Sequence, residues 1–269
     1  LNYCLIFGKG GFPAAGIAGA AIASSVSEAV SLLFFIIYTS MTADKRKYGF
    51  RRAFTLRPHL LKGMLSISGW TMVQSFISVS IWFIFFLAIE HLGERPLAVT
   101  NIVRNISALL IMVISAFATT AGALISNQIG AGEQRCLFKT CGMTLKLTYA
   151  ILIPLLIILC LFPESVLRAF TDSPSLIAAS VNSVYVMASS TLIMAPSFIL
   201  FNAVSGTGNT RAGFIMEMIS LAVYTAVIYY GIIRLKPDVA LCWFSEHVYG
   251  VTLIFLAWWY LKSGKWRGK

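Results

Sequence analysis

Residues 64–88 contain no charged side chain, and several other stretches of this chain are as apolar and nearly as long. About 20 such residues carry a helix across the hydrocarbon of a bilayer. Hydrocarbon offers the backbone no hydrogen-bonding partner, so each run must satisfy its own peptide groups as a helix. The composition agrees. The chain is 58% hydrophobic and only 12% charged, with mean hydropathy +0.82, whereas a soluble domain is about 25% charged. The expected fold class is all-α: a polytopic membrane helix bundle. The spans expected are residues 14–39, 64–88, 101–126, 145–162, 176–205, 213–233 and 239–261, with the end of an earlier helix at residues 1–7. Pro196 is expected to kink the 176–205 span.

The 101–126 span carries a polar stripe: Asn101, Asn105, Ala108, Met112, Ser115, Thr119, Gly122 and Ser126. Steps of three and four residues put all eight on one face. In a membrane such a face must meet protein or water. Two readings stand open: a solute pathway, or close helix packing through small residues.

The net charge is +11, and its distribution argues against nucleic-acid binding. Seven of the 21 basic residues are Lys45, Arg46, Lys47, Arg51, Arg52, Arg57 and Lys62, and four more, Lys262, Lys265, Arg267 and Lys269, close the chain. Basic segments flanking membrane helices mark the cytoplasmic side and attract anionic lipid. Alternating the spans from a cytoplasmic 42–62 loop puts fifteen basic residues inside and six outside, which places the C-terminus in the cytoplasm. The five cysteines (Cys4, Cys136, Cys141, Cys160, Cys242) have no metal-site spacing and read as ordinary small residues. His59, His91 and His247 are scattered. No nucleophile–base pair or phosphate loop occurs, so the chain does not read as an enzyme. No metal site and no cofactor are expected.

Ser27-Glu28-Ala29-Val30 and Ser245-Glu246-His247-Val248 echo each other. Each lies in a span that follows a proline-containing turn and precedes a basic segment. The echo suggests two parallel six-span halves, the first represented only by its end.

The resemblance to a known family rests on three segments. Asn2-Tyr3-Cys4-Leu5-Ile6-Phe7-Gly8 with Gly16-Ile17-Ala18-Gly19-Ala20-Ala21 resembles the helix five to six region of multidrug and toxic-compound extrusion (MATE) transporters. Ser126-Asn127-Gln128-Ile129-Gly130-Ala131-Gly132 resembles their loop after helix eight. Ser205-Gly206-Thr207-Gly208-Asn209-Thr210-Arg211 resembles their loop after helix ten. The resemblance implies twelve helices in two lobes around a cleft. It also implies secondary active efflux of small organic, often cationic, solutes by antiport with Na⁺ or H⁺ across a bacterial-type inner membrane. On that reading residues 1–41 are the end of the N-terminal lobe, whose remainder is missing. Residues 42–63 are a basic cytoplasmic linker, 64–262 the C-terminal six-helix lobe and 263–269 a basic tail. Sodium-coupled relatives carry a glutamate in helix seven and an aspartate in helix ten; the matching positions here are Gln74 and Ala195. Coupling through C-lobe carboxylates is therefore not expected from the resemblance.

The expected substrate pathway is Trp70, Gln74, Ser78, Asn101, Asn105, Asn182 and Tyr185. Aromatic and amide groups suit flat cations. Asn2, Glu28 and Glu246 are the candidates for ion or proton coupling, since carboxylates inside membranes are costly and usually paired or functional. Glu217 is expected to be solvated or ion-paired near a helix start. Arg104 is expected to snorkel or to pair with Glu90 or Glu94. Glu90, His91, Glu94 and Arg95 read as a surface or gate network. Two other functions remain open on the residues: a flippase for lipid-linked sugars, which needs a strongly cationic cavity, and a non-transporting membrane scaffold, which needs the polar stripe fully packed.

Overall fold

The computed structural model describes residues 1–42, 57–264 and 266. Most of the basic linker, including Lys45, Arg46, Lys47, Arg51 and Arg52, lies outside the described residues, as do Lys265, Arg267 and Lys269. The elements are α1 (Asn2–Phe7), α2 (Gly16–Thr42), α3 (Pro58–Glu90), α4 (Glu94–Gly130), a 3₁₀ turn (Gln134–Cys136), α5 (Leu137–Leu161), α6 (Pro163–Leu167), α7 (Pro174–Gly206), α8 (Thr210–Val227), α9 (Val239–Cys242) and α10 (Ser245–Ser263). Among the described residues there is no strand, and seven helices are long and apolar enough to span a membrane.

The chain forms two compact units, residues 1–61 and 62–269. In the first, Gly8 closes α1 in the left-handed region (φ 67°), and the chain returns so that the Ala15 amide donates to the Leu5 carbonyl at 2.9 Å. Gly19 of α2 rests directly on the Leu5 backbone.

The second unit is built around α4 against α7. The apolar side of α4 (Val99, Ile102, Val103, Ile106, Leu110, Ile114) packs with Val184, Met187, Ala188, Met194 and Ala195 of α7. Toward the other end the contact narrows to small residues, Ala118 and Ala121 against Ala203 and Val204. A Cβ on Gly206 would stand 2.5 Å from the Gly122 carbonyl oxygen, so the two backbones meet at a distance only glycine permits. α5 covers both of these helices, and α10 packs on α7 and α8. α3 joins through Phe85, Ala88 and Ile89, which cluster with Tyr224, Ile228, Ile232 and Cys242.

Several details depart from the expected spans. α8 passes into a π-helical segment, Ile228–Arg234. The last expected span is broken: α9 ends at Cys242, Trp243 and Phe244 turn, and α10 begins at Ser245. Asp238 caps α9 by accepting the Val239 amide at 2.8 Å.

Replacing Gly206 with valine should destabilise the protein by about 1–3 kcal/mol through overpacking against α4. At Gly142 an added Cβ would meet nothing within 4 Å. Alanine there should be neutral to favourable, by up to about 1 kcal/mol. Thermal unfolding of the two variants in detergent checks the contrast.

Candidate functional site

Helical spacing on α8 puts Glu217, Leu221 and Tyr224 on one face, and on α10 it puts Glu246 and Tyr249 side by side. The two helices pack together, and each glutamate meets the tyrosine of the other. Tyr249 Oη donates to Glu217 Oε1 at 2.9 Å, and Tyr224 Oη donates to Glu246 Oε1 at 2.8 Å. The two tyrosine rings stand edge to face, 5.8 Å between centroids. A third donor comes from α3: Ser78 Oγ reaches Glu217 Oε1 at 2.8 Å.

These groups line a cavity of about 230 Å³ together with Val79, Trp82, Ile111, Met194, Phe198 and Leu221. α3, α4, α7, α8 and α10 all contribute to its wall. The surround is mainly apolar and aromatic, so the carboxylates are its strongest polar features. Glu246 sits in the first turn of α10, where the helix dipole favours negative charge. The break at Trp243–Phe244 therefore gives a membrane carboxylate a helix start at the cavity.

Glu217 is 3% exposed. Its Oε1 accepts both Ser78 and Tyr249, while its buried Oε2 has no partner. Among the described residues no lysine, arginine or histidine forms an ion pair with it. The expected solvated or ion-paired role is thus replaced by a buried, hydroxyl-bound one. Arg211, one and a half turns earlier, lies over the Trp70 ring at 5.9 Å instead. His247, next to Glu246, faces away to Ser189 of α7, with Nε2 2.9 Å from Oγ.

Of the residues expected from sequence, Ser78 and Glu246 line this cavity; Trp70, Gln74, Asn101, Asn105, Asn182 and Tyr185 do not. Trp70 packs on Phe214 of α8, 5.1 Å between ring centroids. Gln74 is half-buried, one turn before Ser78, and its carbonyl accepts the Ser78 hydroxyl. Asn101 donates to the Leu97 carbonyl of its own helix. Asn105 is exposed. Asn182 lines a separate cavity with Arg95, Pro96 and Asp238. Tyr185 is exposed and reaches the Cys160 carbonyl at 3.4 Å. Asn2 and Glu28 belong to the first unit and are exposed there. Ala195 is fully buried beside Met194.

The polar stripe divides. Gly122 packs against Asn202 of α7, whereas Asn105, Thr119 and Ser126 stay exposed on the second unit, as does Met112. Arg104 pairs with neither Glu90 nor Glu94; its guanidinium lies over the Phe86 ring at 5.4 Å. In the charged turn, His91 Nδ1 sits 2.7 Å from the Leu87 carbonyl and Arg95 donates to the Ser175 carbonyl, so both turn to backbone oxygens and not to each other.

Sequence reasoning missed Tyr224 and Tyr249 and read Glu217 as solvated or ion-paired. The available signal was a glutamate and a tyrosine at helical spacing in each of two successive spans.

A bundle of membrane-length helices enclosing an acidic, aromatic-walled cavity defines an integral membrane protein of the polytopic helical class. The chain belongs to the MatE family, whose model matches residues 71–230. It is 27% identical over 232 residues to a probable multidrug resistance protein NorM of Thermotoga maritima, covering 82% of this chain and 47% of that one. It is 24% identical to an uncharacterized transporter, YisQ, of Bacillus subtilis, covering 82% and 48%. The chain therefore spans about half the length of the curated relatives it matches. Among solved structures it is similar to one described as the outward-facing conformation of a multidrug resistance MATE family transporter of the MOP superfamily. That match has TM-score 0.67 at 14% identity and covers 76% of this chain and 46% of that one. It is likewise similar to a MOP superfamily transporter from Pyrococcus furiosus, with TM-score 0.66 at 14% identity, covering 74% and 44%. These two likenesses bear on the fold.

Tyr249→Phe should cost about 1–3 kcal/mol of stability, because it removes one of two donors from a buried carboxylate. Tyr229→Phe, at an exposed ring, should stay within about 0.5 kcal/mol of wild type. Denaturation of both in the same detergent makes the comparison.

Proposed function

We propose that the whole protein is a secondary active exporter of small organic, often cationic compounds, driven by inward Na⁺ or H⁺ movement. It works in a bacterial-type inner (plasma) membrane with its C-terminus in the cytoplasm. Residues 64–262 form its C-terminal six-helix lobe and residues 1–41 the end of the N-terminal lobe, joined by the basic linker. Support comes from the family, from relatives named for multidrug resistance, and above all from one observation: two carboxylates that share a cavity walled by Trp82, Phe198, Tyr224 and Tyr249. Aromatic faces and carboxylates attract an organic cation by the same electrostatics. The open part of the α4 stripe, with Asn105 and Thr119, gives a polar face for solute to pass along.

Two observations weigh against the other readings. A scaffold gives no reason for an acidic, aromatic-walled cavity built by five helices. A carrier of anionic lipid-linked sugars needs a cationic cavity, and no lysine or arginine lines this one.

Efflux of a fluorescent organic cation from cells producing the full-length protein tests the reading. Trp82→Ala and Glu246→Gln should each lower the efflux rate at least roughly tenfold at equal membrane abundance, the equivalent of about 1.4 kcal/mol. Gln74→Ala and Asn105→Ala should lower it less. Wild-type rates in Trp82→Ala and Glu246→Gln would remove the cavity from the transport path.

A further inference from the structure

The cavity that Asn182 lines, at the end of the bundle where α4 and α7 begin, carries two opposite charges that do not neutralise each other. We propose that it seats a phosphoethanolamine group, with the phosphate on Arg95, the ammonium on Asp238 and the Asn182 amide as a further polar contact. Such a site needs only that the bundle stand in a bilayer; it does not depend on solute export.

The cavity measures about 320 Å³, within the roughly 300–1,000 Å³ usual for small-molecule pockets. Its charged lining is Arg95 of α4 and Asp238 at the start of α9, and its apolar walls include Pro96, Val99 and Ala179. Both charges are tethered to backbone. Arg95 Nη2 donates to the Ser175 carbonyl in the first turn of α7 at 3.2 Å, which leaves most of the guanidinium donors free. Asp238 Oδ1 accepts the Val239 amide at 2.8 Å, and its other carboxylate oxygen has no partner among the described residues. Neither charge forms an ion pair there, and the Asn182 side chain makes no hydrogen bond. One cavity therefore offers a fixed cation, a fixed anion and an uncommitted amide.

The ligand follows from that set. A guanidinium matches the oxygens of a phosphate, and a primary ammonium donates to a carboxylate, which a quaternary one cannot do. A purely anionic group would leave Asp238 unmet. The position in the membrane agrees. α4 has 37 residues and α7 has 33, so they run about 55 and 50 Å, against roughly 30 Å of hydrocarbon and 40–45 Å with the headgroups. Their first turns stand at headgroup level. Leu235, Leu241 and Phe244, close to Asp238 in the chain, are exposed and give acyl chains an apolar surface beside the charged cavity. The same zwitterion can also arrive free in water, so the test separates the two sources.

The purified full-length protein in detergent is melted with increasing phosphatidylethanolamine, phosphatidylcholine, phosphatidylglycerol or soluble phosphoethanolamine. A ligand that binds the native state raises the melting temperature in a saturable way. Phosphatidylethanolamine should do so, and the other two lipids should not. Arg95→Gln and Asp238→Asn should each raise the half-saturating concentration by about tenfold, the scale of one lost bond to a charged group; asparagine still caps α9. Arg168→Gln, in the adjoining cavity that shares Ala178, should leave the response unchanged. A rise with soluble phosphoethanolamine assigns the site to a water-borne zwitterion, and a rise with the lipid alone assigns it to the bilayer. No rise with either overturns the proposal. So do an equal response to phosphatidylglycerol or phosphatidylcholine, a wild-type response in both Arg95→Gln and Asp238→Asn, and an equal loss in Arg168→Gln.

Discussion

A carboxylate held away from water must be met by donors or by positive charge, and the way Glu217 is met organises the functional half of this chain. Its partners come from α3 and α10, so one side chain joins three helices. The crossed arrangement with Glu246 and Tyr224 makes the contact reciprocal: each of α8 and α10 supplies one acid and one phenol. In low dielectric such bonds are stronger than in water, and a missing partner is correspondingly costlier.

The scaffold that holds this network is the α4–α7 pair. Membrane helices gain little from hydrophobic burial against one another and rely on close packing. The Gly122–Gly206 contact and the alanines around it supply that closeness. Because α4 uses its apolar side for α7, its polar stripe is left outward over much of its length, and Asn101 and Thr119 bond to carbonyls of their own helix. A helix packed in this way gives the second unit a closely packed inner seam.

The fold class and the order of spans were legible because hydrocarbon length imposes them directly on composition. Residues 64–88, 176–205 and 213–233 correspond to α3, α7 and α8 with its π-helical continuation, with shifts at their ends. The break between α9 and α10 was not legible, since Trp243 and Phe244 are as apolar as the helix around them. The site was half legible. Ser78 was found on the helix face it shares with Gln74, and Glu246 as a carboxylate inside an apolar span. Glu217 was misplaced because its closeness to Arg211 in sequence suggested an ion pair, whereas the arginine stacks on Trp70. The stripe residues Asn101 and Asn105 share a face, as the spacing requires, but sharing a helix face does not place them in a cavity that five helices build. Which side chains converge from different helices is a property of packing, and helical spacing along one chain segment does not contain it.

If Glu217 and Tyr249 act as one unit across the α8–α10 contact, their contributions to stability cannot be independent. A double-mutant cycle with Glu217→Gln, Tyr249→Phe and the combined variant measures that dependence. Non-additive losses are expected, with an interaction energy of about 1 kcal/mol or more, as for residues bonded to each other. Losses that add to within about 0.3 kcal/mol would contradict the bonded unit, since that is the behaviour of sites that do not touch.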